Sequence, residues 1–140
     1  MDEPKLEDSR TFENLKKAFF DEAGLAFRYR FFATIAEFEG LDRVSALFRD
    51  FAEGGTQNVH GCLDFLRFAR DPAANVPLGG TQKNLAAVLQ TETEQASEIY
   101  REMARVARSE GFSDVASWFD TLEKLKRSHL SKIHQVADGK

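Results

Sequence analysis

The amino-acid sequence predicts an all-α protein, an antiparallel four-helix bundle built from two repeated helical hairpins with one long crossover. Three observations predict this fold. The two halves of the chain carry one sequence pattern, apolar residues in each half recur at the three-and-four spacing of an α-helix, and a glycine follows the first helix of each half. The 140 residues, of which 42% are hydrophobic, are enough for one domain with its own core.

Identical residues recur in the two halves at a nearly constant separation. Thr11-x-x-Asn14-Leu15 returns as Thr81-x-x-Asn84-Leu85, a shift of 70 positions, and further along the chain the shift is 71. The pairs at the second shift are Tyr29 with Tyr100, Ala33 with Ala104, Ala36 with Ala107, Val44 with Val115 and Phe48 with Phe119. One residue is therefore inserted between Glu92 and Tyr100, and a π-bulge would accommodate it in the third helix.

Each half is expected to form two antiparallel helices. Gly40 and Gly111 suit the left-handed position that ends a helix, and the short connections that follow make the next helix antiparallel. Prolines and glycines in residues 71–80 prevent a helix there. The predicted organisation is a flexible N-terminal segment at 1–8 and a bundle spanning 9–137, with the first hairpin at 9–70, the crossover at 71–80 and the second hairpin at 81–137. Two short turns and one long connection are typical of the ferritin-like bundle.

Composition and charge exclude several classes of function. A net charge of −4 leaves no basic surface for nucleic acid or for an anionic membrane. No run of about 18 apolar residues exists, and the acidic N-terminus is unlike a signal peptide. Cys62 is the single cysteine, which excludes an intrachain disulfide. We therefore expect a cytoplasmic protein with no nucleic-acid or membrane partner.

The most informative residues are those that interrupt the apolar helix faces. A buried charged group must be paired, hydrogen-bonded or bound to metal. Six residues stand at such core positions: Glu22, Gly55, Asn58, Glu92, Lys126 and His129. Glu22 and Glu92 occupy equivalent points of the repeat. Gly55 follows Gly54, and the two glycines lower the helix propensity of the second helix, which we expect to be loosened there.

With these positions in view, the sequence resembles the rubrerythrin family over roughly residues 9 to 137. The matching motifs are Thr-Phe-Glu-Asn-Leu at 11–15, Arg28-Tyr29, Ala-Arg-x-Glu-Gly-Phe at 107–112, Trp118-Phe119 and Ser128-His129. The resemblance implies a ferritin-like bundle whose pair of iron ions reduces peroxide. Many members of the family take electrons from a C-terminal rubredoxin module, which we expect to be absent here.

The resemblance also assigns roles to individual positions. Glu22, Glu92 and His129 match iron ligands of the family. This sequence departs from the family pattern at four positions: Gly55 and Asn58 occupy the place of the first Glu-x-x-His, Gln95 that of a further glutamate, and Lys126 that of the Glu in the second Glu-x-x-His. Tyr29 and Tyr100 match family tyrosines near the irons, and without metal their hydroxyls would reach a polar centre.

Three interpretations of the centre follow. We favour a metal-free centre in which Lys126 lies between Glu22 and Glu92 and compensates their charge, so that no cofactor is expected. A second interpretation keeps one iron or manganese ion on Glu22, Glu92 and His129, with Asn58, Gln95 or water completing the shell. An intact di-iron site is the third. We expect Cys62 to be a small buried residue and His60 a surface or packing histidine.

The expected function follows from these interpretations. The first hypothesis is a non-catalytic binding, assembly or regulatory protein with a degenerate di-iron centre. The alternative is a peroxide-reducing oxidoreductase with an atypical iron or manganese site. A second apolar line on the first helix predicts a homodimer, and this line is formed by Phe20, Phe27, Phe31 and Phe38. Packing of that line within the monomer is the competing interpretation, and a different protein partner is a further one.

Overall fold

The structure is a computed structural model that describes residues 3–139, and the side chains of residues 3–137. The elements within that range are a 3₁₀ turn at Leu6–Asp8, α1 at Arg10–Phe38, α2 at Asp42–Leu66, α3 at Thr81–Glu94, a π-helical turn at Gln95–Ile99, α4 at Tyr100–Ser109 and α5 at Ser113–Gly139. Because α3, the π-helical turn and α4 follow without a break, they form one long helix. The predicted fold class is confirmed as an all-helical chain of four helices packed in pairs, consistent with a ferritin-like four-helix bundle.

The chain consists of two compact units. Hairpin 1 is Met1–Pro72 and contains α1 and α2, whereas hairpin 2 is Ala73–Lys140 and contains α3 to α5. The first two residues of the predicted 1–8 segment lie outside the described residues, and its last part forms the 3₁₀ turn. Among the described residues, no helix combines the length and the hydropathy that crossing a membrane requires.

Small residues hold the two helices of hairpin 1 close together. The buried residues of α1 include Ala26, Ala33 and Ala36, and those of α2 include Ser45, Ala52 and Gly55. The hydroxyl of Ser45 donates to the carbonyl oxygen of Ala33 at 2.9 Å, so one buried polar group is satisfied across the helix pair. With little side-chain volume between them, the backbones of α1 and α2 approach closely.

Both hairpins turn in the same way. Gly40 has a φ of 78° and Gly111 a φ of 88°, the left-handed conformation that glycine adopts without steric strain. The amide of Leu41 donates to the carbonyl of Ala36, and the amide of Phe112 donates to that of Ala107, each at 2.8 Å. These are the bonds of a Schellman C-terminal motif, and they confirm the predicted role of the two glycines.

The internal repeat is visible in side-chain packing. Tyr29 stacks on Phe48 in hairpin 1 with ring centroids 6.1 Å apart, and Tyr100 stacks on Phe119 in hairpin 2 at 6.4 Å. An exposed ion pair is also repeated with its charges exchanged. Its two copies are Glu37 with Arg49 and Arg108 with Asp120, whose positions are related by the shift of 71.

The inserted residue of the second repeat lies in the π-helical turn. The turn spans Gln95–Ile99, between Glu92 and Tyr100, where the shift changes from 70 to 71. The predicted π-bulge is therefore confirmed. In hairpin 1, by contrast, α2 passes through Gly54 and Gly55 as one uninterrupted α-helix.

Candidate functional site

The predicted polar residues are divided between the two hairpins. Glu22, Tyr29 and Asn58 belong to hairpin 1. The members in hairpin 2 are Glu92, Gln95, Tyr100, Lys126 and His129.

In hairpin 2, Glu92 is the centre of a polar cluster. Lys126 and His129 are three residues apart on α5, so their side chains lie on the same face of that helix. Lys126 Nζ donates to Glu92 Oε1 at 3.0 Å, and His129 Nδ1 lies 3.1 Å from Glu92 Oε2. When Nδ1 carries a proton, it donates to that oxygen. Both carboxylate oxygens of Glu92 therefore have a partner from α5.

Because the Glu92 cluster is partly buried, the electrostatic attraction within it is stronger than in an ordinary surface ion pair. The side chain of Glu92 is 13% exposed and that of Lys126 is 20% exposed. Ion pairs removed from bulk water are screened less by solvent and salt than pairs at the surface. The net charge of the three groups is zero with neutral His129 and +1 with protonated His129. The cluster thus has no excess of negative charge.

Gln95 begins the π-helical turn, one helical turn after the position of Glu92 in sequence. Its Oε1 atom is buried and has no hydrogen-bond partner within the described part of the chain. Buried acceptors of this kind are rare, because each forgoes a hydrogen bond that water would supply. An amide at this position provides a neutral oxygen where the family resemblance implied a carboxylate.

In hairpin 1, three predicted residues line one open depression of about 470 Å³. They are Glu22, Tyr29 and Asn58. The ring of Tyr29 is fixed there by Phe48 and by Phe51, whose ring centroid lies 5.5 Å away. These contacts hold the phenol ring in place at the edge of the depression.

Sequence reasoning missed one charged group in this depression. Asp50 lines it together with Glu22. The available signal was its place on α2, four residues before Gly54 and eight before Asn58, which puts the three positions on one side of the helix. A second carboxylate therefore lies near Glu22 within hairpin 1.

The position of Gly55 is controlled by its neighbour across the hairpin. A Cβ atom added to Gly55 would lie 3.0 Å from Ala26 Cβ and 3.5 Å from Ala26 Cα. At Gly54, by comparison, an added Cβ would meet no atom of the described residues within 4 Å. A side chain at position 55 therefore requires α1 and α2 to move apart by a few tenths of an ångström, whereas one at position 54 does not.

The sequence also predicts the surroundings of His60 and Cys62. His60 is exposed, which confirms the expected surface histidine. Cys62 has a free thiol and is half-buried. Across residues 3–137, no group of three or more His, Cys, Asp or Glu side chains is arranged to hold a metal ion. The pairing of Lys126 with Glu22 stays a prediction.

The paired helices and the Glu92 cluster define a class, an all-α chain of the four-helix type with a polar group on its helix faces. Comparison with known proteins makes the class specific. The chain is 33% identical to rubrerythrin-1 of Clostridium acetobutylicum, over 94% of this chain and 71% of that protein. It is 30% identical to the rubrerythrin of Porphyromonas gingivalis, over 96% of this chain and 71% of that protein. This chain belongs to the rubrerythrin family.

A third relative supports the same assignment. The rubrerythrin of Nitratidesulfovibrio vulgaris is 29% identical, over 94% of this chain and 71% of that protein. No family model matches the chain. The membership therefore rests on the match to individual relatives along nearly the whole of this sequence.

Proposed function

We propose that this member of the rubrerythrin family has a degenerate di-iron centre and acts as a non-catalytic binding, assembly or regulatory protein. The observation that carries the proposal is the environment of Glu92. Its two oxygens are partnered by the Lys126 ammonium and the His129 imidazole. The ammonium compensates the carboxylate in the way a metal cation otherwise would.

The residues of this chain do not fit a pair of iron ions. Two such ions need several carboxylates, both to balance their charge and to bridge them. The family ligand positions at 55 and 126 hold glycine and lysine, and position 95 holds a neutral amide. The 3.0 Å approach of a Gly55 Cβ to Ala26 adds a steric reason why hairpin 1 favours glycine over a glutamate there.

Electrostatics favours the lysine over a metal at Glu92. Two unit charges 4 Å apart interact by about 4 kcal/mol at an effective dielectric constant of roughly 20. A divalent cation sharing Glu92 with Lys126 is therefore repelled by about 8 kcal/mol at that distance. The same carboxylate without lysine would attract the cation, so the identity of residue 126 decides which cation Glu92 holds.

Replacing the lysine tests this proposal. In the K126E variant the Glu92 cluster consists of two carboxylates and one imidazole. We expect this variant to bind Mn²⁺ or anaerobic Fe²⁺ more tightly than the unmodified chain in equilibrium dialysis. K124E is the matched control, because Lys124 is an exposed lysine on the same helix and its replacement changes the net charge equally. Equal metal affinity of all three proteins would contradict the proposal.

A peroxidase assay addresses the alternative function. Under the proposal, the purified chain consumes hydrogen peroxide no faster than buffer that contains the same amount of free metal. Metal-dependent peroxide reduction that Lys126→Glu or Glu92→Gln alters would instead favour the oxidoreductase with an atypical iron or manganese site.

A further inference from the structure

A groove between α1 and α2 of hairpin 1 has a polar half and an apolar half. The two halves are depressions of about 620 Å³ and about 180 Å³, and both are lined by Arg30 and Thr56. Arg49 and Glu53 belong to the polar half, and Phe27, Val59 and Leu63 belong to the apolar half, which also contains the imidazole of His60. Arg30 therefore stands at the junction of a charged surface and an apolar one.

The guanidinium of Arg30 is held in place without an ion pair. It lies over the ring of Phe27, 5.1 Å from the ring centroid, and its Nη2 donates to the hydroxyl of Thr56 at 3.2 Å. Within residues 3–137, Arg30 forms no ion pair with a carboxylate. Because a guanidinium has five N–H donors in one plane, Arg30 has donors available for a ligand.

The second repeat shows which partner this arginine takes. Arg101 is equivalent to Arg30 by the shift of 71, and its guanidinium lies 3.7 Å from the carboxylate of Glu123, whose side chain is 16% exposed. The residue of hairpin 1 equivalent to Glu123 is Ala52, which is buried and lines the polar half of the groove. Hairpin 1 therefore keeps the arginine but has a methyl group where hairpin 2 has a carboxylate.

We propose that this groove binds an organic monocarboxylic acid with a short apolar tail, the chemistry of a medium-chain fatty acid. The carboxylate accepts hydrogen bonds from Arg30 in the paired planar geometry that guanidinium and carboxylate groups form. The tail lies along Phe27, Val59 and Leu63, where removal of its methylene groups from water is favourable. The site lies in hairpin 1 and does not depend on the Glu92 cluster.

The charges of the polar half favour a ligand with a single negative charge. Arg49 is paired with Glu37 at 2.6 Å, so its charge is already compensated. The remaining charges are those of Arg30 and Glu53, which sum to zero before a ligand binds. Each further negative charge on a ligand is repelled by Glu53 and finds no second unpaired guanidinium in the groove. A monocarboxylate is therefore preferred to a dianionic phosphate monoester.

Isothermal titration calorimetry of the full chain with octanoate tests the site. We expect saturable binding of one octanoate per chain, roughly tenfold tighter or more than binding of acetate, which has no tail, or of 1-octanol, which has no charge. Dianionic octyl phosphate should bind more weakly than octanoate by roughly tenfold or more. From butanoate to octanoate, each added methylene should tighten binding by about two- to fourfold.

Replacing Arg30 tests the residue that carries the proposal. R30Q should weaken octanoate binding by roughly tenfold or more, because glutamine has neither the charge nor the planar fork of donors. R28Q is the matched control, because Arg28 is an exposed arginine of the same helix that lies over the ring of Phe32 and outside the groove. Circular dichroism of each variant establishes that the helices are retained.

A second variant transfers the ion pair of hairpin 2 into the groove. The residues equivalent to Ala52 and Thr56 are Glu123 and Arg127, whose charged groups lie 2.8 Å apart. In A52E/T56R the new glutamate should pair with Arg30, as Glu123 pairs with Arg101, and weaken octanoate binding by roughly tenfold or more. If this double variant does not fold, R30Q decides the outcome.

Several results would overturn the proposal. They are the absence of saturable octanoate binding at millimolar concentration, an unchanged affinity in R30Q or in folded A52E/T56R, and an equal loss of affinity in R28Q and R30Q. Octyl phosphate that binds as tightly as octanoate would overturn the selection of a monocarboxylate, and an affinity independent of tail length would overturn the role of the apolar half.

Discussion

Lys126 changes the chemistry available to Glu92, because an ammonium and a divalent cation compete for the same carboxylate oxygens. Within hairpin 2 the lysine is 3.0 Å from Oε1, and His129 takes the other oxygen at 3.1 Å. Removing Glu92 would leave a partly buried ammonium without its partner, which destabilises a protein more than the pair itself stabilises it. The free energy of unfolding should therefore fall more on loss of Glu92 than the pair itself contributes.

Gly55 gives a second prediction for single residues. G54A should stabilise the chain by about 0.5–1 kcal/mol, since alanine is the better helix former and its Cβ has room. G55A gains the same propensity but brings its Cβ to 3.0 Å from Ala26 Cβ, so we expect a net destabilisation of about 1–2 kcal/mol. Urea unfolding of the two adjacent variants measures the difference.

A double-mutant cycle supplies the control for Gly55. A26G removes the atom that the new methyl group would meet, so A26G and G55A together should be more stable than the two separate losses predict, by about 1 kcal/mol. Equal stabilisation by G54A and G55A would show that α1 and α2 are not in close contact at position 55.

The π-helical turn has a structural explanation in the alignment of the two repeats. Upstream of the turn, Glu92 faces Lys126, and downstream of it, Tyr100 stacks on Phe119. The Tyr100 stack has its counterpart in Tyr29 on Phe48 of hairpin 1, and there one residue fewer separates Glu22, the equivalent of Glu92, from Tyr29. The wider turn takes up the inserted residue, and the helix faces on either side keep their direction.

Deletion of one residue tests this explanation. Without Ser97, the turn should become regular α-helix and both flanking contacts should persist, so the free energy of unfolding should change by less than about 1 kcal/mol. Deletion of Arg28 from α1 is the control. Because α1 is regular there, the deletion rotates every later residue of α1 by about 100° around the helix axis. The free energy of unfolding should therefore fall by several kcal/mol. Equal losses in urea unfolding for the two deletions would contradict the explanation.

Over the whole molecule, the sequence was sufficient to predict the hairpins and the π-helical turn. Repeats and helix periodicity are local properties, and the change of shift from 70 to 71 located the inserted residue between Glu92 and Tyr100. The pairing of Lys126 with Glu92 was also predictable, since both interrupt apolar helix faces. These inferences needed only which residues share a helix face.

Features that depend on distances between helices could not be obtained in this way. The approach of Ala26 to Gly55 depends on how closely α1 and α2 pack, and the sequence predicted only a loosened helix there. Asp50 was missed because it lies outside the apolar face of α2, on which the polar candidates were sought. The burial of Gln95 Oε1 without a partner among the described residues likewise does not follow from residue type.

The role proposed for the whole chain depends on whether it carries metal at all. The most direct measurement is the metal content of the full chain purified after expression in iron-supplemented medium, and again in manganese-supplemented medium, by inductively coupled plasma mass spectrometry. The account predicts far less than one metal ion per chain in both preparations, with helicity and the unfolding midpoint unaffected by a chelator. Stoichiometric iron or manganese that Glu92→Gln removes would contradict it.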